Sequence, residues 1–228
     1  MRSVPGIDCI LFDLDGTLVD SAPDLLAAVN RVLADAGREP LPLAVLRPVV
    51  SKGSRAMLAT AFPDMEAGDR EKLVPPFLAY YGAAIAEHGH AFDDIELLLS
   101  RIERAGLRWG IVTNKPEGLA CDVVRAMGWE ERCAVLVGGD TLPNKKPDPD
   151  QLLHACKQLS IVPARCVYVG DDERDIQAAR AAGMPSVVAL WGYREVHEDP
   201  TTWGADRRIG FPLELCFGLV DGFGRDKY

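Results

Sequence analysis

Short apolar runs recur along this chain, and most of them end in glycine, asparagine or an acidic residue. Ile7 to Phe12 runs into Asp13, Asp15 and Gly16. Leu107 to Val112 runs into Thr113-Asn114, and Cys133 to Val137 into Gly138-Gly139-Asp140. Arg165 to Val169 runs into Gly170-Asp171-Asp172, and Pro185 to Leu190 into Trp191-Gly192. Runs of this length, bounded by such residues, predict strands. Between them the apolar positions take helical spacing. Ile95 to Ala105 stops at Gly106, Gly118 to Met127 at Gly128, and Asp175 to Ala182 at Gly183, where a helix C-cap is expected. Asp148 to Leu159 starts with an acidic first turn behind Pro147. Strands alternating with helices predict βαβ units, a parallel sheet and an α/β fold.

The stretch from Leu18 to His90 has a different pattern and holds no convincing buried strand. Pro23 to Ala36 is an amphipathic helix ending at Gly37, and Arg38 to Pro42 is a loop. Gly53 to Phe62 and Asp69 to Glu87 are further helical stretches, the second kinked or split by Pro75-Pro76. A block of about 70 residues is too long for a simple crossover between strands. It is read as an inserted helical domain over 18–90, with the α/β core formed by 1–17 and 91–228. His88 and His90 flank Gly89 near the return to the core and read as linker. Trp109 reads into the core sheet. Trp191 and Tyr193 read as packing residues, with a pocket role the alternative. Ile209 to Leu215 suits an edge strand or a docking segment.

Length and composition narrow the picture. A chain of 228 residues suits one large domain or one domain with an insert. Apolar residues at 48% and charged residues at 26% exclude global disorder. A net charge of -9 argues against nucleic acid as the main partner. No run of about 18 apolar residues exists, so no membrane partner is expected. The first residues lack the apolar stretch of a secretory leader. None of the six cysteines forms a C-x-x-C pair, so they read as small buried hydrophobes in a reducing cytoplasm. Monomer and homodimer both remain open.

The chemistry collects at the strand ends. In open α/β sheets ligands bind at the carboxyl ends of the strands. This topology gathers Asp13, Asp15, Thr113, Lys146, Asp171 and Asp175 around one pocket. Carboxylates so close repel one another unless a cation sits among them. Hard oxygen ligands favour Mg²⁺, which also binds substrate phosphate. An aspartate can attack phosphorus and divide one hard step into two. A second aspartate two residues on can protonate the leaving oxygen and then deprotonate water. A threonine hydroxyl, backbone N–H groups and a lysine can hold the transferring phosphoryl oxygens.

Four segments carry a family resemblance. Phe12-Asp13-Leu14-Asp15-Gly16-Thr17-Leu18-Val19-Asp20 resembles the first motif of haloacid dehalogenase superfamily phosphatases. Ile111-Val112-Thr113-Asn114-Lys115 is similar to the second motif, Lys146-Pro147-Asp148-Pro149 to the third, and Gly170-Asp171-Asp172-Glu173-Arg174-Asp175 to the fourth. The motifs occur in order and span nearly the whole chain. The resemblance implies a Rossmann-like core with an inserted α-helical cap of the C1 type, as in phosphoglycolate phosphatases. It implies Asp13 as nucleophile and Mg²⁺ ligand, Asp15 as general acid/base and ligand through its carbonyl, and Asp171 as ligand. It implies that Thr113 and Asn114 bind the phosphoryl group and that Lys146 neutralises it. Asp172 is left between a place near the metal and a solvated one, and Asp175 reads as a supporting residue.

The cap segment Val49 to Met57 sits at a helix start that suits the pocket. There Lys52, and Gly53 with its neighbouring N–H groups, can hold an acidic or hydroxylated substrate end. This segment, together with Val188 to Tyr193, also resembles the N-acetylmuramic acid 6-phosphate phosphatases. A cationic residue such as Arg47 or Lys52 suits either phosphorylated acid. The expected partner is therefore a small phosphorylated metabolite. The alternative activity is a phosphomutase of the same superfamily, which shares all four motifs. A signalling receiver domain is disfavoured by the long insert, and a dehalogenase by the presence of Asp15.

Overall fold

The computed structural model describes residues 6–216. The outer ends of the expected core, 1–5 and 217–228, lie outside the described residues. Eight strands follow in chain order: β1 (Cys9–Phe12), β2 (Val19–Asp20), β3 (His90–Ala91), β4 (Arg108–Val112), β5 (Leu136–Val137), β6 (Cys166–Gly170), β7 (Ser186–Ala189) and β8 (Arg207–Ile209). The α-helices are α1 (Ala22–Asp35), α2 (Leu43–Leu46), α3 (Ser54–Ala61), α4 (Ala67–Glu71), α5 (Val74–Ala83), α6 (Ile95–Arg104), α7 (Glu117–Ala126), α8 (Asp150–Leu159) and α9 (Glu173–Ala181). A 3₁₀ turn, Arg47–Lys52, joins α2 to α3.

Six strands form one parallel sheet in the order β5-β4-β1-β6-β7-β8. Alternation along the strands divides the apolar side chains between the two faces. Ile10, Phe12, Trp109, Ile111, Val167 and Val169 pack with Leu98, Leu99 and Ile102 of α6 and Val123 and Val124 of α7. Cys9, Leu11, Val112, Cys166 and Tyr168 pack on the other side with Leu152, Ala155 and Cys156 of α8 and Ala178 and Ala179 of α9. The sheet is thus covered on both faces, as a parallel sheet requires. Trp109 is 1% exposed and meets Trp129 edge to face at 5.9 Å.

β1 lies at the middle of the sheet, where the chain switches from building one side to building the other. Phe12 is level with Ile111 of β4 and Val169 of β6. One residue further lie Asp13, Val112 and Gly170, and one beyond that Leu14, Thr113 and Asp171. The register alone brings three distant motifs to the same height.

The helices α1 to α5 lie between the two-residue strands β2 and β3, which pair antiparallel as Val19 with Ala91 and Asp20 with His90. They share an apolar cluster of their own that includes Leu25, Val29, Leu46, Val50, Leu58, Phe62, Phe77 and Tyr81. The expected split at Pro75-Pro76 falls as a break between α4 and α5, with Pro75 and Pro76 in the first turn of α5. Proline fits a helix there because the N–H it lacks has no partner in that turn. α2 and the 3₁₀ turn were not evident in the pattern.

The chain after Trp203 does both things the pattern allowed, over other residues. The edge strand is Arg207–Ile209, and Leu215 docks into the main cluster.

Candidate active site

Asp13 follows the last residue of β1, and its N–H donates to Val169 O of the neighbouring strand at 2.9 Å. Its carboxylate therefore projects from the carboxyl edge of the sheet. Asp171 follows β6 and is fully buried. Gly16 makes this arrangement possible. Its φ is +85°, and a Cβ there would lie 2.3 Å from Asp171 Oδ2. Asp172 caps α9 by accepting from Arg174 N–H, and Asp175 accepts from Asp172 N–H in return, a reciprocal capping box. This cap holds the Asp175 carboxylate beside Asp13 and Asp171. Oxygens of the three lie within 4.8 Å of one another.

Among the described residues one ammonium faces this cluster. Lys146 is 3% exposed, with Nζ 3.0 Å from Asp13 Oδ1 and 2.8 Å from Asp175 Oδ1. It also donates to Tyr168 Oη at 2.7 Å, whose own O–H donates to Val112 O at 2.6 Å. Burial works against the charge on Lys146, but Asp13 and Asp175 outweigh it and raise its pKa. Three carboxylates against one ammonium leave an excess of negative charge. Burial, with Asp13 and Asp175 beside it, pushes the Asp171 carboxyl well above the ordinary range. Asp13 Oδ1 is buried with no well-aligned hydrogen-bond donor, its Lys146 contact being an ion pair. Hard oxygens, excess charge and an under-satisfied ligand atom are the environment a divalent cation such as Mg²⁺ fits.

Asp172 behaves in the opposite way. Burial raises its pKa, but Arg174 at 2.7 Å and Lys52 at 2.7 Å bring it down to about 2. It is neither solvated nor a member of the carboxylate cluster; it is a helix cap and an ion-pair partner.

The site opens into a cavity of about 350 Å³ between the sheet edge and the insert. Asp13, Asp15, Thr113, Asn114, Lys52 and Gly53 all line it, so the structure brings these expected site residues together. Thr113 is 2% exposed, and its hydroxyl oxygen accepts from Lys115 N–H at 3.2 Å. Asn114 Nδ2 donates to Lys146 O at 2.9 Å, which leaves its buried Oδ1 without a partner. Gly53 takes φ +88° and starts α3. Arg47 stands apart from the other expected residues. It pairs with Asp20 at 2.7 Å, lies over the Tyr193 ring, and is not among the cavity's lining residues.

Three site groups, Lys115, Arg174 and Ser51, carried no role in the sequence reading, and Tyr193 read as packing with a pocket role the alternative. Lys115 Nζ clamps both oxygens of Asp15 at 3.0 Å and lies 4.2 Å from the Tyr81 ring centre. Arg174 lines the cavity and reaches Ser51 O. Ser51 Oγ donates to Asp171 Oδ2 at 2.8 Å. Tyr193 N–H donates to the same oxygen at 2.8 Å, and its hydroxyl donates to Asp20 Oδ1 at 2.7 Å. Tyr193 is therefore more than packing.

A parallel α/β sheet with a carboxylate cluster at its switch point defines a class, and comparison with known proteins agrees. The family model for haloacid dehalogenase-like hydrolases matches residues 10–189, and the chain belongs to that family. Within it the chain is a phosphoric monoester hydrolase of the phosphoglycolate phosphatase-like kind. It is 57% identical over 206 residues to a phosphoglycolate phosphatase of Xanthomonas campestris pv. campestris (strain 8004), covering 90% of this chain and 93% of that protein. It is 43% identical over 207 residues to the N-acetylmuramic acid 6-phosphate phosphatase of Pseudomonas putida, covering 90% and 93%. The crystal structure of a predicted phosphoglycolate phosphatase from Haemophilus somnus 129pt shares the fold, with a TM-score of 0.84 at 24% identity over 93% of this chain and 97% of that one. Among the described residues no helix is long and apolar enough to cross a membrane.

Proposed function

We propose that the chain is a cytoplasmic, Mg²⁺-dependent phosphatase of a small phosphorylated acid, working through an aspartyl-phosphate on Asp13. One observation carries this reading. Asp13 opens into the cavity while its carboxylate meets Lys146 at 3.0 Å and clusters with Asp171 and Asp175. Asp13 and Asp171, with the Asp15 carbonyl, would hold the cation, and Asp175 supports the set. When bound, Mg²⁺ supplies positive charge that lets an anionic nucleophile approach an anionic phosphate.

The chain's own groups do the rest. An Asp13 oxygen forms a bond to phosphorus as the bond to the substrate oxygen breaks. Asp15, held in place by Lys115, gives that oxygen a proton. It then takes a proton from the water that releases phosphate from Asp13. Thr113, the Asn114 N–H and Lys146 surround the phosphoryl oxygens. Six free cysteines among the described residues suit a reducing compartment.

The cavity bears on the substrate. Part of its insert side is an apolar wall of Val50, Met57, Val74, Phe77 and Tyr81. A two-carbon acid covers little of that wall, whereas a sugar acid with methyl-bearing substituents covers more. The cations Lys52, Arg55, Lys115 and Arg174 each already pair with a carboxylate. Lys145 lines the cavity with no carboxylate partner among the described residues, so it is the group we assign to the substrate's acid end. Arg47, tied to Asp20, has a structural task instead.

Phosphate release from 2-phosphoglycolate and from N-acetylmuramic acid 6-phosphate, with and without Mg²⁺, tests the reading. At least one is hydrolysed only with Mg²⁺, and Asp13→Asn abolishes the turnover. Full activity in Asp13→Asn would reject the nucleophile. Turnover of neutral sugar phosphates alone would reject the acid substrate.

A further inference from the structure

The 3₁₀ turn Arg47–Lys52 brings the insert against the carboxylate cluster. Three ties surround Ser51. Its hydroxyl donates to Asp171 Oδ2 at 2.8 Å, its carbonyl accepts from Arg174 Nη2, and its neighbour Lys52 bridges Asp172, at 2.7 Å, and Glu198. Arg174 and Asp172 belong to α9 and its cap, and Glu198 to the loop after β7. The turn is thus held against the sheet edge from two sides.

The lone pairs of Asp171 give the Ser51 contact a particular meaning. Each carboxylate oxygen offers about two acceptor sites. Oδ2 already takes two donors, Ser51 Oγ and Tyr193 N, both at 2.8 Å. Oδ1 takes one, Thr17 Oγ1 at 3.1 Å. One lone pair, on Oδ1, remains. Gly16 and Gly192 both approach this carboxylate so closely that a Cβ on either would collide with it. The group is fixed in one orientation by three donors, and one of them comes from the insert.

We propose that Ser51 is a positioning residue of the cation site. Its hydroxyl occupies Asp171 Oδ2 and so presents the free lone pair of Oδ1 to Mg²⁺, which ties the seating of the insert to cation binding. This rests on the reading of Asp171 as a cation ligand. The coupling is reciprocal, as any coupling between two binding equilibria must be. Cation in place favours the seated turn, and the seated turn favours the cation. Substrate entering the cavity between them meets a site whose metal affinity depends on the position of the insert.

The test is calorimetric titration of Mg²⁺ into the metal-free full chain and its variants. Removing a hydrogen bond that orients a metal ligand typically costs about 10-fold or more in affinity. Ser51→Ala therefore weakens Mg²⁺ binding by about 10-fold, and Ser51→Thr, which keeps the hydroxyl, restores it. The Lys52 and Arg174 ties survive in both variants, so the fold and the turn are retained. Hydrogen exchange on the wild type supplies an arm that needs no variant: Mg²⁺ slows exchange of the amides of residues 49–52. Unchanged affinity in Ser51→Ala, or no Mg²⁺-dependent protection of the turn, overturns the coupling and leaves the phosphatase reading intact. A wild type that binds no Mg²⁺ overturns both.

Discussion

The sheet edge and the helical insert handle charge in opposite ways. At the sheet edge Asp13, Lys115, Lys146, Asp171, Asp172 and Asp175 are all buried. In the insert the ion pairs Arg38–Asp64, Arg55–Glu71 and Lys72–Asp69 lie at the surface, with Lys72 and Asp69 side chains 77% and 59% exposed. The interior of the insert is mainly apolar and held by shape, with buried carboxylates only at the start of the insert, Asp20 and Asp24. The interior of the sheet edge is ionic and is held by balance, so removing one partner there exposes the rest to desolvation without compensation. The difference follows from use. Charges that must act on a phosphate need a water-poor setting, where fixed charges act strongly.

Four experiments would break or sharpen this contrast. The largest effect is expected from Lys146→Ala, which removes the single ammonium facing Asp13 and Asp175. Unfolding in urea, without metal, should show a loss of about 4 kcal/mol, as for other broken buried ion pairs. A loss under about 1 kcal/mol would mean the cluster is not balanced by Lys146.

Leu58→Ala in the insert acts through packing alone. Leu58 is 0% exposed and does not line the cavity, so about 3 kcal/mol is expected from lost burial and the void left behind. Unlike Lys146→Ala, this loss should not change with added Mg²⁺.

Asp172 gives a smaller effect with a definite sign. Its folded pKa of about 2 lies below the ordinary 3.8, so it contributes stability above about pH 4 and loses it as pH falls toward 2. The contribution is on the order of 2 kcal/mol. Asp172→Asn should flatten the stability profile across that window, and an unchanged profile would reject the assignment. Lys72→Ala should leave the melting temperature unchanged, because its pair with Asp69 is in water.

Legibility of the chain in its sequence followed the length of the signal. The core strands β1, β4, β6 and β7 stood out as apolar runs ending in polar residues, and the flanking helices as 3.6-residue periodicity, closed by glycine in α6, α7 and α9. β8 did not, because Arg207-Arg208-Ile209 has no strand-like pattern. It forms at the sheet edge by pairing with β7, beside Asp206, which accepts from Ser186 N–H at 2.9 Å. β2 and β3 are two residues each, and α2 is four, too short to leave a periodic trace.

In the site, Asp13 and Asp171 were readable because each follows a strand directly, and Asp175 because it lies one helical turn beyond Asp171. The Lys115–Asp15 and Ser51–Asp171 contacts join residues 100 and 120 positions apart, and no local pattern reports such pairs. Arg47 shows the converse. A cationic residue in the insert suggested a pocket ligand, but a buried carboxylate, Asp20, and the Tyr193 ring hold it.

The central claim is that Asp13 carries the phosphoryl group between substrate and water. Borohydride reduces an acyl phosphate to an alcohol and leaves a free carboxylate untouched. Enzyme turning over substrate with Mg²⁺ is quenched into borohydride, digested and read by mass spectrometry. The account predicts reduction at residue 13, dependent on both substrate and Mg²⁺, and at no other carboxylate of the site. Sustained phosphate release with residue 13 unreduced, or reduction at Asp15, Asp171 or Asp175 instead, would contradict it.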